Sequence, residues 1–282
     1  MSIRILVGML AAGENERDQA IAALHAQSYK NYEFFLLENL PNKEAHEALY
    51  SRFMASADRF DVFLKLDADM VLVRDSVLAE LADFFAANPE VELLFFEIID
   101  WYSDALIPGI TITRSTARWP LHPDQLLVDS FIKITGKNVQ VSDRQAALAI
   151  HSPDPSPLQA FRFGIHRAMK AIQDDRKPAQ RMTEKANSQW SILNKTWLNF
   201  RKTRERRIGL AIAGAELVFN GGSGSVGRNY MGTAAREVFE KNYAHATVES
   251  LERELASWWD DAERNTKRWQ AALTSAPMRE TP

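Results

Sequence analysis

The first hundred residues switch repeatedly between two patterns of apolar positions. Apolar runs of strand length occur at residues 3–10, 31–39, 61–67 and 90–99. Segments with apolar residues at helical spacing lie between and after them, at residues 18–27, 43–57 and 76–87. Strands that alternate with helices in this way predict an α/β fold, with a mostly parallel sheet sandwiched by helices.

The pattern changes after residue 100. Residues 101–119 mix aromatic and arginine residues, which suits a substrate-facing loop with one strand at 110–113. The next predicted elements are a helix at 123–135, a strand beginning at 138 and an apolar run at 146–151. From residue 158 onward the pattern is helical, with breaks near Lys177, residues 220–227 and Ala244. We therefore predict an α/β domain over residues 1–157 and a mainly helical C-terminal region over 158–282 that packs on it.

Composition narrows the class of protein. The 282 residues include 34 Lys and Arg against 37 Asp and Glu, a net charge of −3, which argues against a nucleic-acid partner bound through a broad basic face. The chain has no cysteine, so a metal would have oxygen or imidazole ligands. No apolar run reaches about 18 residues and the N-terminal one is too short for a signal peptide, so we expect a cytoplasmic protein without a transmembrane helix.

Two carboxylates end the third predicted strand, in the sequence FLKLDADMVL: Asp67 and Asp69. Ligands of parallel sheets bind beyond the carboxyl ends of the strands. Two nearby carboxylates suit a hard divalent cation whose remaining ligands include the oxygens of a substrate diphosphate. The alternative is a solvated turn that leads into the next helix, with Asp75 as its N-cap.

The sequence IRILVGMLAAGENERDQAIAALHAQSYKNYEFFLLEN resembles the opening of the family 2 inverting glycosyltransferases, which use nucleotide sugars. Gln27, Ser28, Tyr29 and Tyr32 match its Gln-Thr-Tyr and following aromatic residue, and LDADMVL matches its Asp-X-Asp strand. The match covers about the first 75 residues, is looser as far as residue 151 and does not reach the C-terminal helices. The family's proline after the first strand is absent, and HEALYSRFMASA replaces its glycine and Asn-Arg stretch.

The resemblance implies the Rossmann-like glycosyltransferase A fold and a metal-dependent transfer from a UDP- or GDP-sugar donor to a glycan or glycolipid acceptor, with Mn²⁺ or Mg²⁺ as cofactor. It places Glu38 on the nucleotide base, and Asp67 and Asp69 on the ribose and the metal. His151 corresponds to a further metal ligand of some relatives. Glutamate at position 38 replaces the family's aspartate and leaves the choice of nucleotide open.

Inverting transfer needs a general base that takes the proton of the acceptor hydroxyl. In the family that base lies at the start of a helix after the fourth strand, where this chain has HPDQLLVDSFIKITG. Asp124 is the first candidate and Asp129 the second. An N-cap role is the alternative for Asp124.

Further positions suit a diphosphate, a membrane or a second subunit. Arg162, His166 and Lys170 share one helical face that suits a diphosphate, although a solvated basic face would look the same. The glycine-rich residues 220–229 suit an interhelical loop or a lid. Residues 197–207 suit either a salt-bridged helix or peripheral contact with the inner face of a membrane. The spacing of Leu251, Leu255 and Trp258 or Trp259 predicts packing on the α/β domain or in a homo-oligomer.

Two other functions remain compatible with this sequence. A nucleotidyltransferase that forms nucleotide sugars would also use a parallel sheet and a carboxylate-held metal, but a glycine-rich basic loop normally follows its first strand. A noncatalytic scaffold would bind a partner through the C-terminal helices and would have no affinity for nucleotides.

Overall fold

A computed structural model of the chain describes residues 2–120, 132–172, 179–221 and 232–275. The fold is α/β, as predicted, with a C-terminal part made of helices. Contacts divide the chain into two compact units: an N-terminal unit of residues 1–101 and 106–155, and a C-terminal unit of residues 102–105 and 156–282.

The elements of the first part alternate as the apolar pattern predicts. In chain order they are β1 (Ile5–Ala11), α1 (Arg17–His25), β2 (Tyr32–Glu38), α2 (Asn42–Ala55), β3 (Val62–Asp67), β4 (Met70–Leu72), α3 (Val77–Ala87), β5 (Val91–Asp100), β6 (Ala105–Arg114), β7 (Lys137–Val141) and β8 (Ala149–His151).

The strands form one mixed sheet in the order β2-β1-β3-β6-β5-β8-β4, with β7 also paired to β5. β1 is parallel to β2 and β3, and β5 is parallel to β7 and β8. β3 is antiparallel to β6, and β4 is antiparallel to β8. The sheet is therefore less uniformly parallel than the sequence predicts.

An aromatic cluster packs α2 onto the sheet. Phe53 of α2 stacks on Phe63 of β3 with ring centroids 4.8 Å apart, and Tyr50 stacks on Trp119 at 4.9 Å. Gly8 of β1 makes this close approach possible, because a Cβ there would collide with the side chains of Leu49 and Phe35. These buried rings remove apolar area from water and so stabilise the packing of α2 on the sheet.

The Gln-Ser-Tyr segment after α1 connects distant parts of the chain. The amide of Gln27 donates to the carbonyl of Arg74 over 2.8 Å, and its oxygen accepts from the N–H of Leu78 over 3.0 Å. The carbonyl of Asp75 accepts from the N–H of Ser28 over 2.7 Å. The predicted N-cap at Asp75 is wrong: Ser76 is the N-cap of α3, without a side-chain capping bond.

Three further details differ from the prediction. β4 is a separate short strand after the acidic turn, and β6 occupies residues 105–114, most of the segment predicted as a loop. The predicted helix at 123–135 falls mainly on residues 121–131, which lie outside the described ranges. Its last four residues are not helical, since Lys133 forms an isolated antiparallel bridge with Arg118.

The C-terminal unit consists of helices in the described ranges. They are α4 (Pro157–Ile172), α5 (Ala179–Thr203), α6 (Arg206–Gly221), α7 (Thr233–Asn242), α8 (Val248–Trp259) and α9 (Ala262–Ser275). The predicted break near Ala244 lies between α7 and α8, whereas Lys177 and most of residues 220–229 are outside the described ranges.

Burial explains the predicted patterns at residues 197–207 and 251–259. Trp197 is buried, while Arg201 and Arg204 both pair with Glu252, at 2.5 and 2.6 Å, as expected for a salt-bridged helix. Leu251, Leu255 and Trp259 are buried as predicted. The indole N–H of Trp259 donates to Glu216 over 2.7 Å, so this ring packs within the C-terminal unit.

Candidate functional site

The carboxyl ends of the first three strands meet at one edge of the sheet. In the parallel registers, Ala11 of β1 lies opposite Glu38 of β2, and Leu10 lies opposite Asp67 of β3. β2 and β3 lie on opposite sides of β1. The strand order therefore changes direction at β1, which makes this a topological switch point. Such a switch point, at the carboxyl ends of the strands, is where open α/β sheets bind ligands.

Asp67 forms an ion pair with Lys65 of its own strand. Side chains two residues apart on a strand share a face, and the Nζ of Lys65 lies 2.8 Å from Oδ1 and 3.0 Å from Oδ2 of Asp67. The Lys65 side chain is 19% exposed and that of Asp67 is 35% exposed. Asp67 therefore faces the edge of the sheet with its charge partly balanced.

The two carboxylate oxygens of Asp69 have different surroundings. Its Oδ2 lies 3.3 Å from Nε2 of His151 and 3.4 Å from the hydroxyl of Ser152. Its Oδ1 is buried and has no hydrogen-bond partner in the part of the chain that the structure describes. A buried, unpaired carboxylate oxygen is costly, so it calls for a ligand that compensates it.

Backbone pairing brings the partners of Asp69 together. His151 lies opposite Met70 across the β4–β8 pair and opposite Asp100 across the β5–β8 pair. The Nδ1 of His151 is 2.8 Å from Oδ1 of Asp100, whose side chain is fully buried. The ring of His151 thus lies between two carboxylates that are 31 residues apart in the sequence.

The charges in this cluster determine its protonation. Burial by itself lowers the pKa of His151, but Asp69 and Asp100 outweigh it and raise that pKa to about 10. Burial likewise raises the pKa of Asp69, and the opposing effects of His151, Lys65 and Ser152 leave it below its usual range. The ion pair is therefore charged at neutral pH.

Glu14, in the loop after β1, is a third acidic group at this edge. Burial raises the pKa of its carboxyl to about 7; the donating N–H of Ala12 opposes the rise, and the charges of Asp69 and Asp67 add to it. Glu14 lies in the sequence GENE, shortly after the end of β1. No motif or spacing in the sequence identified it as a site residue.

The oxygen atoms of this cluster suit a hard cation that takes some of its ligands from the protein and the others from a substrate. Oxygen ligands suit Mg²⁺ and Mn²⁺, and Mg²⁺ is commonly held by one or two carboxylates together with substrate phosphates. The buried Oδ1 of Asp69 supplies such an oxygen. Among the described residues, no group of three or more His, Cys, Asp or Glu side chains is arranged to hold a metal ion. A cation here would depend on the substrate for several of its ligands.

The remaining predicted site residues fall in three places. Glu38 ends β2 at the same edge of the sheet, where Arg17 donates to it over 2.7 Å. Arg162 and His166 belong to α4 of the C-terminal unit, and Arg162 donates to the carbonyl of Gly232 over 3.4 Å. Asp124 and Asp129 lie outside the described residues. Contact of Arg162 and His166 with a diphosphate stays a prediction.

Four participants were not found from the sequence: Glu14, Lys65, Asp100 and Ser152. Asp100 carried a usable signal, because its strand ends in an aspartate just as β3 does. Its role could not be inferred, since pairing with His151 depends on contacts between strands distant in the sequence.

Comparison with known proteins gives structural similarity only. No family model and no curated protein matches the chain. The mannosyltransferase PcManGT from Pyrobaculum calidifontis, solved with GDP-Man and Mn²⁺, is similar over 98% of this chain and 86% of that chain, at 11% identity and a TM-score of 0.41.

Two other solved structures are similar to this chain at lower TM-scores. A glycosyltransferase involved in glycosylation of the major capsid of PBCV-1 matches 39% of this chain and 60% of that chain, at 15% identity and a TM-score of 0.28. S. aureus TarS matches 97% of this chain and 55% of that chain, at 12% identity and a TM-score of 0.36. These scores and identities are too low to establish a function. No helix in the described ranges is long and apolar enough to cross a membrane.

Proposed function

We propose that this chain is a metal-dependent, inverting glycosyltransferase that moves a sugar from a UDP- or GDP-sugar to a hydroxyl of a glycan or glycolipid. One observation carries the proposal: Asp69, in the LDADMVL motif, presents a buried Oδ1 without a hydrogen-bond partner in the described chain, next to the switch point of the sheet. Its neighbours and the N-terminal resemblance then define the roles of the other residues.

Asp69 would hold Mn²⁺ or Mg²⁺ through Oδ1, while His151 and Ser152 keep Oδ2 engaged. The bound cation supplies Lewis-acid stabilisation of the departing nucleoside diphosphate. Lys65 fixes the carboxylate of Asp67, which in this proposal accepts hydrogen bonds from the ribose hydroxyls. Glu38, at the end of β2, accepts from the nucleotide base.

The acceptor hydroxyl attacks the anomeric carbon as the bond to the diphosphate breaks, and its proton passes to a carboxylate. We assign that general base to Asp124, with Asp129 as the alternative, because HPDQLLVDSFIKITG stands where the family that the chain resembles has its base. The proposed setting is the cytoplasm, at the inner face of the membrane where the acceptor is lipid-linked.

The test is release of UDP or GDP from a panel of nucleotide sugars that includes GDP-mannose, measured with the full chain with and without Mn²⁺. We expect release to require the metal and to fall about 100-fold in Asp69→Asn, because an interaction with the leaving group is lost. Asp83→Asn is the matched control, since Asp83 is an exposed carboxylate on α3.

Three results would contradict the proposal. Release that does not depend on Mn²⁺ or on Asp69 would remove its basis. Formation of pyrophosphate from a nucleoside triphosphate and a sugar phosphate would identify a nucleotidyltransferase, and a complete lack of nucleotide affinity would favour a scaffold.

A further inference from the structure

Arg17 and Glu38 form an ion pair at the carboxyl end of β2. Nη1 of Arg17 donates to Oε1 of Glu38 over 2.7 Å, while Nε and Nη2 each lie 3.0 Å from Oδ1 of Asp18. Oε2 of Glu38 has no hydrogen-bond partner in the described chain. Each terminal nitrogen of the guanidinium also carries a second N–H. The pair can therefore offer a ligand both an acceptor and a donor.

The pair lies two strands away from Asp67. Glu38 of β2 is opposite Ala11 of β1, and Asp67 of β3 is opposite Leu10 of the same strand. Neighbouring strands are about 4.8 Å apart, so the backbones of Glu38 and Asp67 are about 10 Å apart. A nucleotide can span such a distance between the hydrogen-bonding edge of its base and its ribose. With the ribose at Asp67, as proposed above, the base reaches the Arg17–Glu38 pair.

An exposed apolar side chain follows the pair in the sequence. Asn39, directly after Glu38, has a φ of 56°, a left-handed conformation in which the chain turns as it leaves β2. Leu40 comes next and is 41% exposed, one of three large apolar side chains that are exposed in the described ranges. Ligand sites combine apolar surface with a few polar groups that fix the orientation of the ligand. Leu40 and the ion pair together suit a planar base with a polar edge.

Guanine and uracil differ in what they offer a carboxylate. Guanine presents two adjacent donors, N1–H and the 2-amino group, beside the acceptor O6. Uracil presents one donor, N3–H, between two acceptor oxygens. An ionised carboxylate only accepts hydrogen bonds and a guanidinium only donates them. Both oxygens of Glu38 can therefore accept from guanine, whereas one of them would face an acceptor of uracil.

We propose that Arg17 and Glu38 select guanine, so that the sugar donor is a GDP-sugar. Glu38 accepts from N1–H through Oε1 and from the 2-amino group through Oε2. Arg17, which is hydrogen-bonded to Oε1, donates to O6. This selection rests on the proposed function. It adds Arg17 to the residues that determine specificity and chooses between the two nucleotides that the proposed function leaves open.

Calorimetric titration of the full chain with GDP, inosine diphosphate and UDP, each with Mn²⁺, tests the selection. Inosine diphosphate has the N1–H and O6 of guanine but lacks the 2-amino group. A hydrogen bond to a charged group is worth about tenfold or more in affinity. We therefore expect inosine diphosphate to bind about tenfold more weakly than GDP, and UDP at least about tenfold more weakly. Equal binding of GDP and inosine diphosphate, or of GDP and UDP, would overturn the selection.

Glu38→Gln replaces one acceptor of the site by a donor. The amide offers one acceptor and one donor, which match N3–H and a neighbouring carbonyl of uracil but oppose one of the two donors of guanine. We expect the ratio of GDP affinity to UDP affinity to fall at least about tenfold. The advantage of GDP over inosine diphosphate should disappear. Ratios that stay at their wild-type values would overturn the role of Glu38.

Arg17→Met removes the proposed donor to O6, and Arg4→Met is its matched control. Each arginine side chain is 43% exposed and pairs with a glutamate of β2. We expect Arg17→Met to weaken GDP binding about tenfold and to keep the ratio of GDP to inosine diphosphate, since both bases carry O6. Arg4→Met should bind GDP as the wild type does. Equal GDP affinities of the two variants, at matching melting temperatures, would overturn the role of Arg17.

The outcomes also separate this selection from the proposed function. A wild-type chain that binds none of the three nucleotides with Mn²⁺ would overturn both. Binding of UDP that requires Mn²⁺ and Asp69, without binding of GDP, would support the proposed function and overturn the selection of guanine alone.

Discussion

At the residue scale, β2 carries two glutamates that form similar ion pairs at its opposite ends. Glu38, at the carboxyl end, pairs with Arg17 at 2.7 Å, and Glu33, near the start, pairs with Arg4 at 2.6 Å. Their side chains are 40% and 46% exposed. Exposed pairs of this kind contribute at most about 1 kcal/mol to stability. Position therefore distinguishes them, because only the carboxyl end of the strand borders the candidate site.

We predict that Glu38→Gln weakens binding of the preferred nucleoside diphosphate about tenfold, since it removes a charged acceptor from the proposed contact with the base. Glu33→Gln should leave nucleotide affinity unchanged, and both variants should keep wild-type stability to within about 1 kcal/mol. Calorimetric titration with UDP and GDP checks the affinities. Equal effects of the two substitutions would remove Glu38 from the site.

Glu92 is a buried carboxylate that connects neighbouring segments of the sheet through hydrogen bonds. It accepts from the hydroxyl of Thr116 and the N–H of Gly136, each over 2.6 Å, and also from Thr135. It thus ties the end of β6 to the start of β7. Burial raises its pKa, but these donors outweigh burial and leave the pKa below its usual value.

We predict that Glu92→Gln lowers the free energy of unfolding by about 2–4 kcal/mol, because the amide cannot accept from all of these donors. Glu90→Gln is the control. It should change stability by less than about 0.5 kcal/mol, because Glu90 is exposed and its carboxylate comes no closer than 3.8 Å to the Nζ of Lys137. Urea unfolding of both variants measures the difference. Equal stability of the two variants would contradict this role of Glu92.

The pH dependence of that difference follows from the lowered pKa. The unfolded chain binds the proton more readily than the folded one, so ionised Glu92 stabilises the fold above the unfolded value of about 4.5. The advantage of the wild type over Glu92→Gln should therefore be complete at neutral pH and shrink as the pH falls below that value. A difference that grows on acidification would contradict the assignment.

Single residues show how far the sequence alone could go. Asp67 and Asp69 were identifiable because they combine a motif with a strand end. Lys65, two residues before Asp67, was local enough to notice but has no motif. Asp100 and Ser152 take part through pairing of strands that are distant in the sequence, which no local pattern specifies.

At the element scale, α4 and α6 approach so closely that backbone meets backbone. A Cβ at Gly164 of α4 would overlap the carbonyl oxygen of Ala211, and one at Gly214 of α6 would overlap that of Phe161. Backbone atoms cannot move aside as the tip of a side chain can. The two glycines therefore allow the helices to approach this closely.

We predict that Gly164→Ala destabilises the chain by about 3 kcal/mol or more, since the overlap forces the helices apart. Ser191→Ala, on an exposed position of α5, is the control and should change stability by less than about 0.5 kcal/mol. Urea unfolding monitored by tryptophan fluorescence compares them. A Gly164→Ala variant as stable as the control would show that the helices can separate freely.

Elements with strong local periodicity were predictable, and elements defined by distant pairing were not. α3 buries Val77, Leu78, Leu81, Ala82 and Phe85, a spacing that the sequence displays directly. β4 has three residues, and its pairing with β8 comes from almost 80 residues later, so its sequence did not distinguish it from a turn. The antiparallel pairing of β6 with β3 was missed for the same reason.

At the scale of the whole molecule, each of the two compact units has its own buried residues. Aromatic packing around Phe53 and Phe63 belongs to the N-terminal unit, and Trp259, Glu216 and Arg268 interact within the C-terminal unit. Asp67, Asp69, Asp100 and His151 lie in the N-terminal unit. The central claim therefore concerns this unit: Asp69 holds a cation that neutralises a nucleoside diphosphate.

Calorimetric titration of UDP and GDP into the full chain, with and without Mn²⁺, tests that claim most directly. We predict that one of the nucleotides binds with Mn²⁺ and at least about tenfold more weakly without it, because the cation offsets the diphosphate charge next to Asp69. Asp69→Asn should lose the effect of Mn²⁺, and Asp83→Asn should retain it. Nucleotide affinity that is the same with and without Mn²⁺, and the same in Asp69→Asn as in the wild type, would contradict the account.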